Sequence, residues 1–173
     1  KMNMSRKEEA IRGQVYKVDS RHDRVNALVD RYFEKGVFNT QQSDKQIAEN
    51  LLEQFRKDFT YQAEVGRDQW QTVSQTAVSG KGDCEDLAIL QSSMLMNVLA
   101  RKGYSTDQIK QKIHVSAGYV TKENQNPLGH AFVVMKGEDG QDLVLDATSK
   151  SGIAKLDDLA YEEVLRFNDY EFL

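Results

Sequence analysis

The sole cysteine of the chain, Cys84, stands in the run Gly80-Lys81-Gly82-Asp83-Cys84-Glu85-Asp86-Leu87, where two glycines and an acid lead into a strongly apolar stretch. A thiol in that place sits at a helix N-terminus, where unpaired backbone N–H groups and the positive end of the helix dipole favour thiolate, the form a nucleophile needs. Two later segments can complete the chemistry: Gly129-His130-Ala131-Phe132-Val133 and Leu143-Val144-Leu145-Asp146-Ala147-Thr148. Taken singly, such a cysteine is a small core side chain, such a histidine a strand residue and such an aspartate a turn former. As a set they carry acyl transfer.

In that chemistry the Cys84 thiolate attacks an amide carbonyl, His130 donates a proton to the leaving amine, and Asp146 orients and polarises His130. The acyl group is left as a thioester, which water or another amine resolves. The tetrahedral oxyanion needs donors, for which the backbone N–H of Cys84, the indole N–H of Trp70 and the amide of Gln75 are candidates. The acids beside the sulfur, Asp83, Glu85 and Asp86, oppose thiolate formation, so His130 must supply much of the activation. Asp83 and Asp86 have the spacing of a helix cap and a first-turn carboxylate.

Gly137-Glu138-Asp139-Gly140 is a turn signal between two apolar runs. A hairpin centred on Glu138 puts His130 directly opposite Asp146, on one sheet face, with Cβ atoms about 4.5 to 5.5 Å apart. The pair then serves Cys84 only if the cysteine's helix packs against that same face.

The elements that must hold these groups are legible as periodic stretches. Leu87, Leu90, Met94, Leu95 and Val98 mark a helix opened by Cys84 and closed near Gly103, too apolar for a surface helix and therefore central and buried. Ser105-Thr106-Asp107 starts a short helix, Ile113, Val115, Ala117 and Tyr119 alternate as a strand, and the runs His130–Met135 and Leu143–Asp146 are two more. Upstream, Ser5 to Lys35 reads as one or two amphipathic helices with His22 on a solvated surface, and the charge run Arg6 to Glu9 as a solvated face. Ser43 or Asp44 caps a further helix that buries Ile47, Leu51, Leu52 and Phe55. Gly66 to Ser79 is a mixed stretch. The polar segment Thr121 to Leu128, with the only proline, Pro127, is loop, and the tail has mixed helix and loop character with Leu159, Val164, Leu165 and Phe167 for packing.

The whole amounts to 173 residues with a formal net charge of -4, 39% hydrophobic and 29% charged, the balance of an ordinary globular chain. Basic residues are scattered, which speaks against a nucleic-acid partner. One cysteine and three histidines are too few for a zinc site of several Cys and His ligands. No apolar run reaches the length of a membrane span.

Gly82-Asp83-Cys84-Glu85-Asp86-Leu87-Ala88, His130-Ala131-Phe132-Val133 and Leu145-Asp146-Ala147-Thr148 resemble, in order, the Cys, His and Asp motifs of the transglutaminase-like superfamily. The Gly-Asp-Cys-Glu-Asp form, with Trp70 upstream, is most similar to its bacterial cysteine-protease branch, which includes the LapG-type periplasmic proteases. The resemblance spans roughly Phe59 to Lys150. It implies an α+β papain/transglutaminase-like core with a central helix on an antiparallel sheet; the helical segment read from periodicity over residues 1–58 lies outside the resemblance and is expected to pack on the core of 59–173 as one compact domain. It implies a Cys84-His130-Asp146 triad acting on a protein or peptide, with calcium on Asp83, Glu85 and Asp86 and no other cofactor for the chemistry. It favours a periplasmic or secreted location over the cytoplasm. A transglutaminase or deamidase acting on glutamine side chains shares the same acyl-enzyme, and a catalytically silent binding module shares the same fold.

Overall fold

The computed structural model describes residues 17–63 and 70–173. The charge run Arg6 to Glu9, the start of the Ser5–Lys35 segment and Gly66 lie outside the described residues. Helices α1 (Asp23–Glu34) and α2 (Asp44–Asp58) come first. Their apolar stripes are inward, Val25, Val29 and Tyr32 on α1 and Ile47, Leu51, Leu52 and Phe55 on α2. Ser43 caps α2 by accepting the Gln46 N–H at 3.1 Å. His22 caps α1 in the same way, its Nδ1 accepting the Arg24 N–H at 3.0 Å in a solvent-facing bond.

A short strand β1 (Thr60–Tyr61) pairs in parallel with β2 (Lys81–Gly82), and between them lies α3 (Val73–Ser79). Helix α4 (Cys84–Lys102) follows at once and ends at Gly103 in the left-handed conformation expected there. Every residue of α4 from Asp86 to Leu99 is buried. A helix apolar all round needs cover all round. Strands β3 and β4 supply one side, and α1, α2 and α3 supply the others. The polar residues it buries are bonded: Ser92 and Ser93 donate to the Ile89 carbonyl at 3.0 and 2.7 Å, and Asn97 to the Ser20 carbonyl at 2.8 Å.

After α5 (Thr106–Lys112) come β3 (Ile113–Val120), β4 (Leu128–Lys136), β5 (Asp142–Leu145), β6 (Ala154–Lys155) and β7 (Tyr161–Phe167). They form one antiparallel sheet in the order β6-β5-β4-β3-β7. The architecture is therefore the α+β arrangement expected, a central helix on an antiparallel sheet.

Two features depart from the sequence reading. The tail holds a 3-10 turn at Leu156–Asp158 and then, in place of further helix or loop, a strand: β7 pairs along β3 with a register shift at Ala117/Gly118, and Leu165 and Phe167 are buried. Its consecutive glutamates, Glu162 and Glu163, hide the alternation, and the edge of β3 is what makes this segment a strand. The β4–β5 hairpin is centred on Asp139, one residue later than expected, so that Val133 pairs with Leu145 and Lys136 with Asp142. The loop Glu138-Asp139-Gly140 makes a tight turn, with the Gly140 N–H bonded to the Gly137 carbonyl at 3.0 Å and Gly140 at φ 81°. A three-residue loop of this kind ends on a left-handed residue, which favours glycine.

Among the described residues no helix is long and apolar enough to cross a membrane.

Candidate active site

Cys84 is the first residue of α4, and the segment before it is pinned from both sides. Thr60 and Gln62 donate to the Gly80 and Gly82 carbonyls at 2.9 and 2.8 Å. Asp83 and Asp86 form a reciprocal capping box: the Asp83 carboxyl accepts the Asp86 N–H and the Asp86 carboxyl accepts the Asp83 N–H, each at 3.1 Å. The other Asp86 oxygen accepts the Gln71 N–H at 2.7 Å. Gly82 is what lets this box close, because a Cβ there would lie 2.5 Å from the Asp86 Cβ.

The Cys84 thiol donates to Glu85 Oε2 at 3.2 Å. Burial raises its pKa above the ordinary thiol value, the Glu85 charge and hydrogen bond and the Asp83 charge raise it further, and the Ala131 N–H, which favours thiolate, does not offset them. Burial and the neighbouring acids thus act together against the helix dipole at this sulfur. The same crowding acts on the acids. Burial, then Glu85, holds the Asp83 carboxyl well above the usual carboxylate range, and Asp86 is raised chiefly by burial.

His130 Nε2 and Asp146 Oδ2 are 2.7 Å apart. The other Asp146 oxygen accepts both the N–H and the hydroxyl of Thr148, at 2.9 and 2.7 Å. Burial alone would raise the Asp146 pKa, but His130 and these Thr148 bonds outweigh it and hold the carboxyl below its ordinary value. In the observed register His130 would face Thr148 if the ladder continued, and Asp146 lies just past the end of β5. The offset from the expected pairing is two residues, which preserves the face, so the side chains meet along the diagonal. Two longer contacts set this strand end: Gln91 of α4 donates to the Leu145 carbonyl at 3.2 Å, and Arg56 of α2 donates to the carbonyls of Asp146 and Ser151 at 2.7 and 2.8 Å. Nothing in local sequence pointed to Arg56, which is ninety positions away from Asp146.

The face itself differs from expectation. Ala131, Val133 and Met135 belong to the core with α4, whereas Phe132, Val134 and Val144 form a separate cluster on the other side of the sheet. His130 alternates with the second set, and its ring meets Phe132 edge-on at 5.6 Å. Cys84, at the tip of α4, packs at the margin of the core beside the Ala131 N–H and also lines the cleft that holds His130. The cleft has a volume of about 630 Å³ and is lined by Cys84, His130 and Asp146 together with Tyr61, Leu128 and Tyr161 among others.

Trp70 and Gln75 are not on that lining. Trp70 is buried and stacks on Phe167 of β7 at 5.4 Å, while its carbonyl accepts from the Lys17 ammonium. Gln75 is drawn into the capping box of α3, its side-chain oxygen accepting the Thr72 N–H at 2.8 Å. The backbone N–H of Cys84, on the first helical residue, is the remaining oxyanion candidate. Among the described residues no three His, Cys, Asp or Glu side chains converge as a metal-ligand set. Asp83 and Asp86 spend oxygens on backbone N–H groups instead.

A central helix opening on a cysteine, against an antiparallel sheet that carries a bonded His-Asp pair, defines a papain/transglutaminase-like α+β core of the LapG type. The solved structures to which the chain is similar agree with this. LapG from Legionella pneumophila, EGTA-treated, matches with a TM-score of 0.63 and 21% identity over 86% of this chain and 72% of that one. The calcium-bound form of the same protein matches with a TM-score of 0.55 and 19% identity over 90% and 87%. A putative cysteine protease from Cytophaga hutchinsonii matches with a TM-score of 0.52 and 20% identity over 82% of this chain and 44% of that one. No family model and no curated protein matches the sequence.

Proposed function

We propose that the chain is a cysteine-dependent hydrolase of peptide or protein substrates, with Cys84 as nucleophile, His130 as general acid and base, and Asp146 as the carboxylate that orients His130. The observation that carries this is the 2.7 Å His130–Asp146 bond in a cleft that Cys84 also lines. With Nε2 taken by Asp146, Nδ1 is the ring nitrogen left for chemistry. The Cys84 proton passes to Nδ1 as sulfur attacks the scissile carbonyl, and the oxyanion forms near the Cys84 N–H. When the C–N bond breaks, the same proton goes to the departing amine and a thioester remains. Water then gives its proton to His130 and attacks the thioester, releasing the acid and restoring the thiol. Before the first step the thiol proton must turn from Glu85 to His130.

Asp83, Glu85 and Asp86 are hard oxygen donors of the kind calcium takes, Asp83 and Asp86 are buried, and no Lys or Arg among the described residues forms an ion pair with any of them; to hold the ion, their oxygens would have to turn from the backbone N–H groups they accept. A dication held there would supply positive charge beside the acids that crowd the sulfur. The neighbours include both calcium-bound and EGTA-treated LapG, which supports the assignment. Calcium at a hundred times its Kd is expected to stabilise the fold by about 2.7 kcal/mol, read as a rise in Tm.

The activity is tested with a proteome-derived peptide library, scoring new N-termini by mass spectrometry. Cys84→Ala is expected to abolish cleavage, and His130→Ala to lower kcat about 10²- to 10⁴-fold. Incorporation of a labelled amine into glutamine side chains without backbone cleavage would instead make the enzyme a transglutaminase.

A further inference from the structure

The wall of the cleft beyond its reacting groups is mainly apolar, with Lys122, Thr148 and Ser149 as its polar members. Among the described residues five large hydrophobic side chains are more than a third exposed, and three of them, Tyr61 at 52%, Leu128 at 55% and Leu159 at 38%, line this one cleft. Exposed apolar groups scattered singly need no explanation, but a cluster around a concave site marks a binding surface. Val120, Phe132 and Tyr161 continue the surface inward, the Phe132 and Tyr161 rings 4.6 Å apart. Apart from His130 and Asp146, the only charged residue on the lining is Lys122.

The wall is built by the ends of separate strands held in place. Val120 ends β3, Leu128 begins β4 and Tyr161 begins β7, and the Thr121 N–H bonds the Ala160 carbonyl at 2.9 Å where β3 and β7 leave the sheet. Behind it, Tyr161 Oη and Ser116 Oγ are 3.0 Å apart, and Ser116 in turn donates to Glu163 at 2.6 Å, which anchors the Tyr161 ring. A volume of about 630 Å³ is ample for a bulky side chain together with the backbone on either side of it.

We infer that this cleft selects an extended peptide segment carrying a bulky apolar side chain, leucine or phenylalanine in size, seated on Leu128, Leu159 and Tyr161. The inference rests on the hydrolase reading for its direction toward peptides, and it adds the substrate class. Burying such a side chain contributes about 10- to 100-fold in affinity over a small polar one.

The test uses Cys84→Ala protein, which cannot turn over, and fluorescein-labelled peptides of one length in which a single position is Phe, Leu or Ser, scanned along the segment. Anisotropy gives Kd for each. At one position Phe and Leu are expected to bind at least about 10-fold more tightly than Ser. Adding Leu128→Asp or Leu159→Asp is expected to remove most of that discrimination; both positions are exposed, and an unchanged Tm confirms the fold. Discrimination below about threefold at every position, no measurable binding, or a preference that survives both substitutions would overturn the inference. Cleavage of the same peptides by the unmodified protein separates the two claims. Discrimination without Cys84-dependent cleavage removes the hydrolase reading alone, and cleavage with a flat profile removes the apolar preference alone.

Discussion

At Cys84 a helix N-terminus and the acids that cap it pull the same proton in opposite directions. The cap needs carboxylates because backbone N–H groups at the start of α4 must be satisfied, yet those carboxylates and Glu85 stand beside the sulfur. Glu85 is the removable part of the opposition, since it takes no part in the capping box. Glu85→Gln is expected to lower the thiol pKa and speed alkylation of Cys84 by iodoacetamide several-fold at pH 8, measured by mass spectrometry across a pH series. An unchanged profile would mean that burial and Asp83, without Glu85, set the thiol. Asp146 works in the opposite sense. Its folded pKa lies below the unfolded value of about 3.9, so the stability it contributes is present above that value and is lost as pH falls through the folded one. Asp146→Asn is therefore expected to flatten the fall of Tm between roughly pH 5 and pH 2.

At the scale of elements, the position of Asp146 is set by a helix that has no motif. Arg56 of α2 bridges the carbonyls of Asp146 and Ser151 with one nitrogen, so α2 holds the segment that follows β5. Its guanidinium is partly desolvated, which lowers its pKa, while the Asp146 charge raises it. Arg56→Ala is expected to cost about 1.5 to 3 kcal/mol in stability through loss of charged hydrogen bonds. As a positioning residue it is also expected to lower kcat more than it raises KM and to shift the acid limb of the kcat profile, with Arg56→Lys restoring part of both. A drop in Tm with an unaltered pH profile would reduce Arg56 to a structural role. The hairpin supplies a related lesson about elements: the turn moved the register by two residues and the His130–Asp146 contact survived, because an even shift preserves the sheet face.

At the scale of the molecule, the N-terminal helices and the sheet share one core. Val29 and Tyr32 of α1, Leu51 and Phe55 of α2, Leu90 and Met94 of α4, and Val133 and Leu145 of the sheet belong to a single buried cluster. With that shared cluster, α1 and α2 are expected to unfold together with the 59–173 core. Trp70, the only tryptophan, reports the packing of β7 through its contact with Phe167. Urea unfolding followed by Trp70 fluorescence and by far-ultraviolet circular dichroism is expected to give one coincident transition. Separate midpoints would establish two units.

Local chemistry determined much of this protein. The all-round apolar run after Cys84 made a buried helix, alternation made β3, Gly140 made a turn, and Ser43 and Asp83 made caps, because each follows from the periodicity and hydrogen-bonding needs of a few adjacent residues. The residue types of the candidate triad were also legible, as a set with an order. Tertiary structure decided what depends on a distant partner. The β3 edge made a strand of Tyr161–Phe167, and pleating put His130 on the face away from α4, so that it shares with Cys84 a cleft and not the covered face. Packing against Phe167 took Trp70 out of the cleft, and the α3 cap took Gln75. The state of the thiol belongs to the same class, because a pKa is set by whatever charge and solvent surround the sulfur in space, and chain order does not record those surroundings.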